Sequence, residues 1–141
     1  MILKLLINAD SRYDVSREVI RATVSDVLTK FKLRGKVEVG VSIAGDRMMS
    51  DLNRTYRNID DTTDVLAFPL EDVTPSKFLP QERKEKIGFI KPPDRTLRLG
   101  DVIISYPQAL MSASEAGIPI DEEISNLLSH GLHHLLGVHH E

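Results

Sequence analysis

All five histidines of this 141-residue chain lie between Ser129 and Glu141, in the run S-H-G-L-H-H-L-L-G-V-H-H-E. No other feature constrains the fold as tightly, because imidazoles that act together must be brought to one point. His130 and His134 stand four positions apart, so on a helix they rise from one face a turn apart and can reach a single ion. His140 cannot join them on a straight helix, which would carry it ~15 Å beyond His130. The chain has to turn, and Gly137 accepts the left-handed conformation that commonly closes a helix. The spacing predicts a helix that stops near Leu136, turns at Gly137 and brings His139 or His140 back beside the first pair.

Cysteine is absent. That excludes a disulfide framework, a thiolate metal site and a cysteine nucleophile. Three imidazoles without thiolate form the ligand set of an open zinc site, whose fourth position holds water, whereas structural zinc sites fill all four positions. The helical pattern supports a built site rather than a purification scar, since the histidines are threaded through an amphipathic helix. Ile120, Ile124, Leu127, Leu128, Gly131, Leu132 and Leu135 share its apolar sector. His130 and His134 sit at the edge of that sector, and His133 falls on the polar side as a solvated surface residue.

H-G-L-H-H-L-L-G-V-H-H resembles the H-G-x-L-H-L-x-G-x-D-H signature of the YbeY family, bacterial metal-dependent endoribonucleases of ribosomal RNA maturation. The resemblance implies that His130, His134 and His140 are the metal ligands. Two positions depart from the pattern: His133 stands where the family has leucine and His139 where it has aspartate. The family's acidic residue beside the last ligand is therefore missing here. His140 is the penultimate residue, and chain ends fray unless something such as coordination ties them down.

A second segment, Leu52-Asn53-Arg54-Thr55-Tyr56-Arg57 followed by Asp60 to Pro69, reads on physics alone as a helix end, an acidic threonine-rich turn and a strand from Val65 to Phe68 that stops at Pro69. It is similar to the family's L-N-x-x-Y-R-x-x-D-x-P-T-D-V-L-S-F-P, with Thr62 in place of proline and Ala67 in place of serine. The resemblance implies that Arg57 lies near the metal, where a guanidinium would bind a phosphate and stabilise charge on pentacovalent phosphorus. Asp64 matches as well, with a turn role and a catalytic role both open to it.

The length fits one domain over residues 1–141, and 41% hydrophobic with 28% charged residues is ordinary for a soluble globular protein. Residues 1–7 are mostly apolar, for too short a run to be a signal peptide or membrane span. A cytoplasmic protein that does not engage membranes is expected. The net charge of -3 argues mildly against a nucleic-acid partner, although a local basic groove suffices.

Along the chain, Met1–Asn8 reads as a buried strand and Val15–Phe31 as a helix. Asp14 or Ser16 would cap that helix, and Val15, Val19, Ala22 (or Thr23), Val27 and Phe31 would face inward. A turn at Gly35 leads into Val37–Ile43, which alternates with period two. Gly45 or Asp46 opens a helix through Tyr56, with Met48 (or Met49), Leu52 and Tyr56 inside. Residues 71–98 form a proline-rich, charged connection whose Arg83, Lys84, Lys86, Lys91, Arg95 and Arg98 suit a solvated loop better than an RNA contact. Leu99–Ser105 is a strand, similar to the family's L-G-D-I-x-I-S. Tyr106 or Pro107 starts a helix that Gly117 closes, and Pro119 with Asp121, Glu122 and Glu123 opens the histidine helix.

The expected fold is α+β, a small four-stranded mixed sheet covered by helices with the metal-site helix at the carboxyl end; the resemblance implies the same, a zincin-like single domain. It further implies a zinc-dependent, single-strand-selective endoribonuclease of rRNA processing, with one Zn²⁺ per chain. Its partner would be an rRNA precursor or the small ribosomal subunit. Two other classes compete. H-x-x-x-H-x-x-G-x-x-H is also the spacing of a zinc metallopeptidase helix, but that chemistry needs a glutamate after the first histidine, where this chain has Gly131. Glycine there would let another backbone or a bulky substrate approach. The surplus of His133 and His139 suits a non-catalytic metal-binding module, which leaves the arginine and threonine-aspartate segment unexplained.

Overall fold

The computed structural model describes residues 1–57, 63–70 and 96–137, the side chain of Arg57 excepted. Their order is β1 (Ile2–Ala9), α1 (Arg17–Lys30), β2 (Lys36–Ala44), α2 (Asp46–Arg57), β3 (Val65–Pro69), β4 (Thr96–Ser105), α3 (Tyr106–Ala116) and α4 (Ile120–Leu135). The four strands form one sheet in the order β1-β2-β4-β3. β1 runs parallel to β2 and β2 to β4, while β3 is antiparallel to β4 and forms an edge. The architecture is the expected α+β domain with a mixed sheet.

Alternation along the strands divides the apolar residues between two faces. Val37, Val39, Val41 and Ile43 of β2, with Val102 and Ile104 of β4, meet Ile20, Val24 and Leu28 of α1 and Ile124, Leu128, Leu132 and Leu135 of α4 in the main core. On the opposite face Ile103 and Leu66 pack with Met49 of α2 in a smaller core. The sheet is thus sandwiched, with α1 and α4 on one side and α2 on the other.

Local signals set most boundaries. Ser16 caps α1 by accepting from the Val19 N–H, Ser105 caps α3 by accepting from the Gln108 N–H, and Gly117 closes α3 in the left-handed region at φ 68°. The inward face of α1 holds the expected Thr23 and Val27 but is completed by Ile20, Val24 and Leu28, all buried, whereas Ala22 is exposed and Val19 half-buried. α4 has been seated by α1 as well as by the sheet, and two hydrogen bonds lock the pair. The Ser16 N–H donates to Asp121 Oδ1 at 3.1 Å, and Thr23 Oγ1 lies 2.8 Å from Ser125 Oγ.

β4 begins three residues earlier than expected, at Thr96, so Arg98 is a strand residue rather than part of a loop. Its Nε lies 3.5 Å from Glu38 Oε2 on β2. The register between these strands slips after Glu38, which faces Arg98 while Val39 faces Gly100, leaving the buried Leu99 as the extra residue of a bulge. Gly100 adopts φ +133°, and a β-carbon on it would strike the Phe68 carbonyl oxygen and lie 2.9 Å from Pro69 Cα. Only glycine fits there, and it lets β3 close against β4.

Candidate active site

Helix α4 delivers His130 and His134 as the spacing requires. Both are exposed, their Nε2 atoms are 3.1 Å apart, and their rings meet edge to face at a centroid distance of 4.6 Å. Two imidazole nitrogens bound to one tetrahedral zinc at ~2.0–2.1 Å lie about 3.3 Å apart. The observed pair fits that demand almost without movement. α4 ends as expected, with Leu136 at the cap and Gly137 at φ 79°. His139 and His140 lie outside the described residues, and among those described no group of three or more His, Cys, Asp or Glu side chains converges.

The pair borders a cleft of about 660 Å³. One wall is α4, through Leu127, His130, Gly131 and His134; the other is the edge strand β3 with the residues leading into it, Thr63 to Phe68, and Tyr56 of α2 also lines it. Pairing fixes how β3 presents itself. The Ser105 N–H donates to the Asp64 carbonyl at 2.9 Å and the Leu70 N–H to the Leu99 carbonyl at 3.0 Å. In an antiparallel ladder of this register the even-numbered residues bond to β4, so the N–H and C=O groups of Val65 and Ala67 point to the open edge. Pro69, next on that side, has no N–H to offer.

Gly131 explains how the helix comes so near the sheet. A β-carbon there would lie 2.6 Å from Val102 Cγ1 and 3.3 Å from Val65 Cγ2. It is therefore the sheet's own valines, not a substrate or a second backbone, that occupy the space a side chain would need. The position after the first histidine faces strands β3 and β4 and cannot carry the glutamate of a peptidase.

The family model described as Endoribonuclease YbeY matches residues 6–141. This chain belongs to the YbeY family. Among curated YbeY proteins, the Endoribonuclease YbeY of Dehalococcoides mccartyi strain CBDB1 is 34% identical over all of this chain and 82% of its own length. That of Persephonella marina is 34% identical over 98% of this chain and 79% of its own. The fold has a solved counterpart in the solution structure of TM1509 from Thermotoga maritima, with a TM-score of 0.57 at 20% identity over 98% of this chain and 75% of that one.

Within this YbeY framework the remaining candidates fall as follows. Arg57 is the last residue of α2, directly after the Tyr56 that lines the cleft, and its side chain lies outside the described part. Asp64 borders the cleft and its backbone begins the β3 ladder. His133 is not the solvated residue expected: it is half-buried, its ring meets Phe31 edge-on at 5.5 Å, and its Nδ1 lies 2.6 Å from the Ser129 carbonyl oxygen. It faces α1, away from the pair. Sequence reasoning also misplaced Tyr56, which was expected inside but is 66% exposed at the cleft, while Met49 and Asn53 are the buried residues of α2. The buried asparagine was the missed signal, because a polar residue on the inner face shifts the apparent phase of the helix.

Among the described residues no helix is long and apolar enough to cross a membrane.

Proposed function

We propose that this chain is a zinc-dependent endoribonuclease, a single domain over residues 1–141 that cuts single-stranded RNA, with an rRNA precursor or the small ribosomal subunit as its partner in the cytoplasm. The observation that carries the metal-dependent part is the pair of exposed imidazoles 3.1 Å apart beside an open cleft. Endoribonuclease is the activity named for its YbeY relatives at 31–38% identity.

His130 and His134 would hold the ion with His140 as third ligand. When bound, Zn²⁺ supplies a Lewis acid for a phosphoryl oxygen and brings the pKa of a coordinated water towards ~7. The chain's own groups do the rest. Arg57 pairs with the scissile phosphate and offsets the charge that gathers on its oxygens. The outward N–H and C=O groups of Val65 and Ala67 offer the ribose and phosphate fixed hydrogen-bonding partners along one wall. Unpaired bases can splay into a cleft of this size, whereas a duplex keeps its bases in the stack, which favours single strands.

The test is cleavage of matched single-stranded and duplex RNA by wild type and Arg57→Ala. Single-strand cutting by wild type that falls at least a hundredfold in Arg57→Ala supports the reading, on the scale of about 10²–10³ for loss of one charge-stabilising donor. Equal cutting of both RNAs, or an indifferent Arg57→Ala, contradicts it.

A further inference from the structure

Aromatic residues make up only 5% of this chain and tryptophan is absent, yet one of its few large rings stands in the open. Tyr56 is 66% exposed at the carboxyl end of α2 and borders the same cleft as His130 and His134. A single exposed ring needs no explanation by itself. This one is held in place. Its centroid lies 4.9 Å from that of Phe68, the planes tilted by 60°, and Phe68 in turn packs into the small core with Met49 and Leu66. Phe68 therefore braces Tyr56 on one side and leaves the rest of the ring facing solvent.

The lining indicates which part of an RNA suits the cleft. The side chains that Tyr56 shares it with include the apolar Val65, Leu66, Phe68 and Leu127 and the acidic Asp64. The face of an aromatic ring offers a phosphate no donor, whereas a neutral, flat base can stack on it. We propose that Tyr56, braced by Phe68, is a stacking platform for an unpaired nucleobase adjoining the scissile phosphate, and that this platform contributes to single-strand selectivity. The inference rests on the endoribonuclease reading above. Stacking on an aromatic face tolerates every base, because each has a π-face, so the position holds a base without specifying its identity. A base engaged in a duplex stack cannot offer that face.

The experiment uses short single-stranded oligoribonucleotides carrying 2-aminopurine at successive positions, with wild type, Tyr56→Phe and Tyr56→Leu. Wild type should quench the probe on binding at one position near the cut, and Tyr56→Phe should do the same. Tyr56→Leu still covers Phe68 but has no π-face. It should lose the quench and raise KM about tenfold, with kcat and metal content little changed. Equal KM for wild type and Tyr56→Leu, or a raised KM with the quench retained, overturns the stacking role. Wild type that neither binds nor cuts any single strand overturns the ribonuclease reading and the platform with it, whereas cutting by wild type and Tyr56→Leu alike removes the platform alone.

Discussion

Gly131 lies so close to Val102 that a β-carbon on the glycine would come within 2.6 Å of the valine's Cγ1. This contact sets the height of helix α4 over the sheet, and with it the position of His130 and His134 beside β3. Valine has little rotamer freedom with which to yield. Gly131→Ala should therefore lose stability by overpacking, about 1–3 kcal/mol, against a helix-propensity gain of about 1 kcal/mol. A lower urea midpoint with unchanged slope is expected, and Gly131→Ala with Val102→Ala should lose less than the sum of the single changes. A stabilised Gly131→Ala would mean that the helix stands off the sheet.

At Gly100 the obstacle is backbone. Its φ of +133° and the proximity of Phe68 and Pro69 leave no room for a side chain, and neither can move without parting β3 from β4. Gly100→Ala should cost about 3 kcal/mol or more, combining strained backbone with overpacking. Because β3 is a cleft wall, activity per folded molecule should fall too, as read by thermal unfolding alongside cleavage assays.

Ser105, fully buried, joins two helix starts. Its hydroxyl accepts from the Gln108 N–H at 3.2 Å and donates to Asp46 Oδ1 at 3.0 Å. Ser105→Ala removes both bonds, for an expected loss of about 1–2 kcal/mol. Denaturant unfolding measures it, and a change below a few tenths would show that solvent replaces these bonds.

The two adjacent histidines should behave oppositely. His133 packs on Phe31 and His134 pairs with His130, so His133→Leu should keep its metal while His134→Ala should lose it. Metal analysis of the two purified variants reads the difference directly.

Much of this was legible in the sequence. Period-two alternation in Val37–Ile43, the glycine after α3 and the four-residue spacing of His130 and His134 each act locally, and each holds in the structure. What escaped depends on tertiary packing. The inward face of α1 is chosen by its packing in the core it shares with α4, which buries Ile20, Val24 and Leu28 where Val19 and Ala22 were expected. Asn53 hides the phase of α2, and so the exposure of Tyr56. No local pattern could show that residue 131 abuts Val102, because that contact joins a helix to a strand more than a full element away.

The most direct measurement is zinc per chain in tag-free protein, followed by single-strand RNA cleavage before and after chelation. The expected result is one zinc per chain, activity lost with the metal and restored by one equivalent. Full cleavage by metal-free protein would contradict the assignment of His130 and His134 as ligands of a catalytic ion.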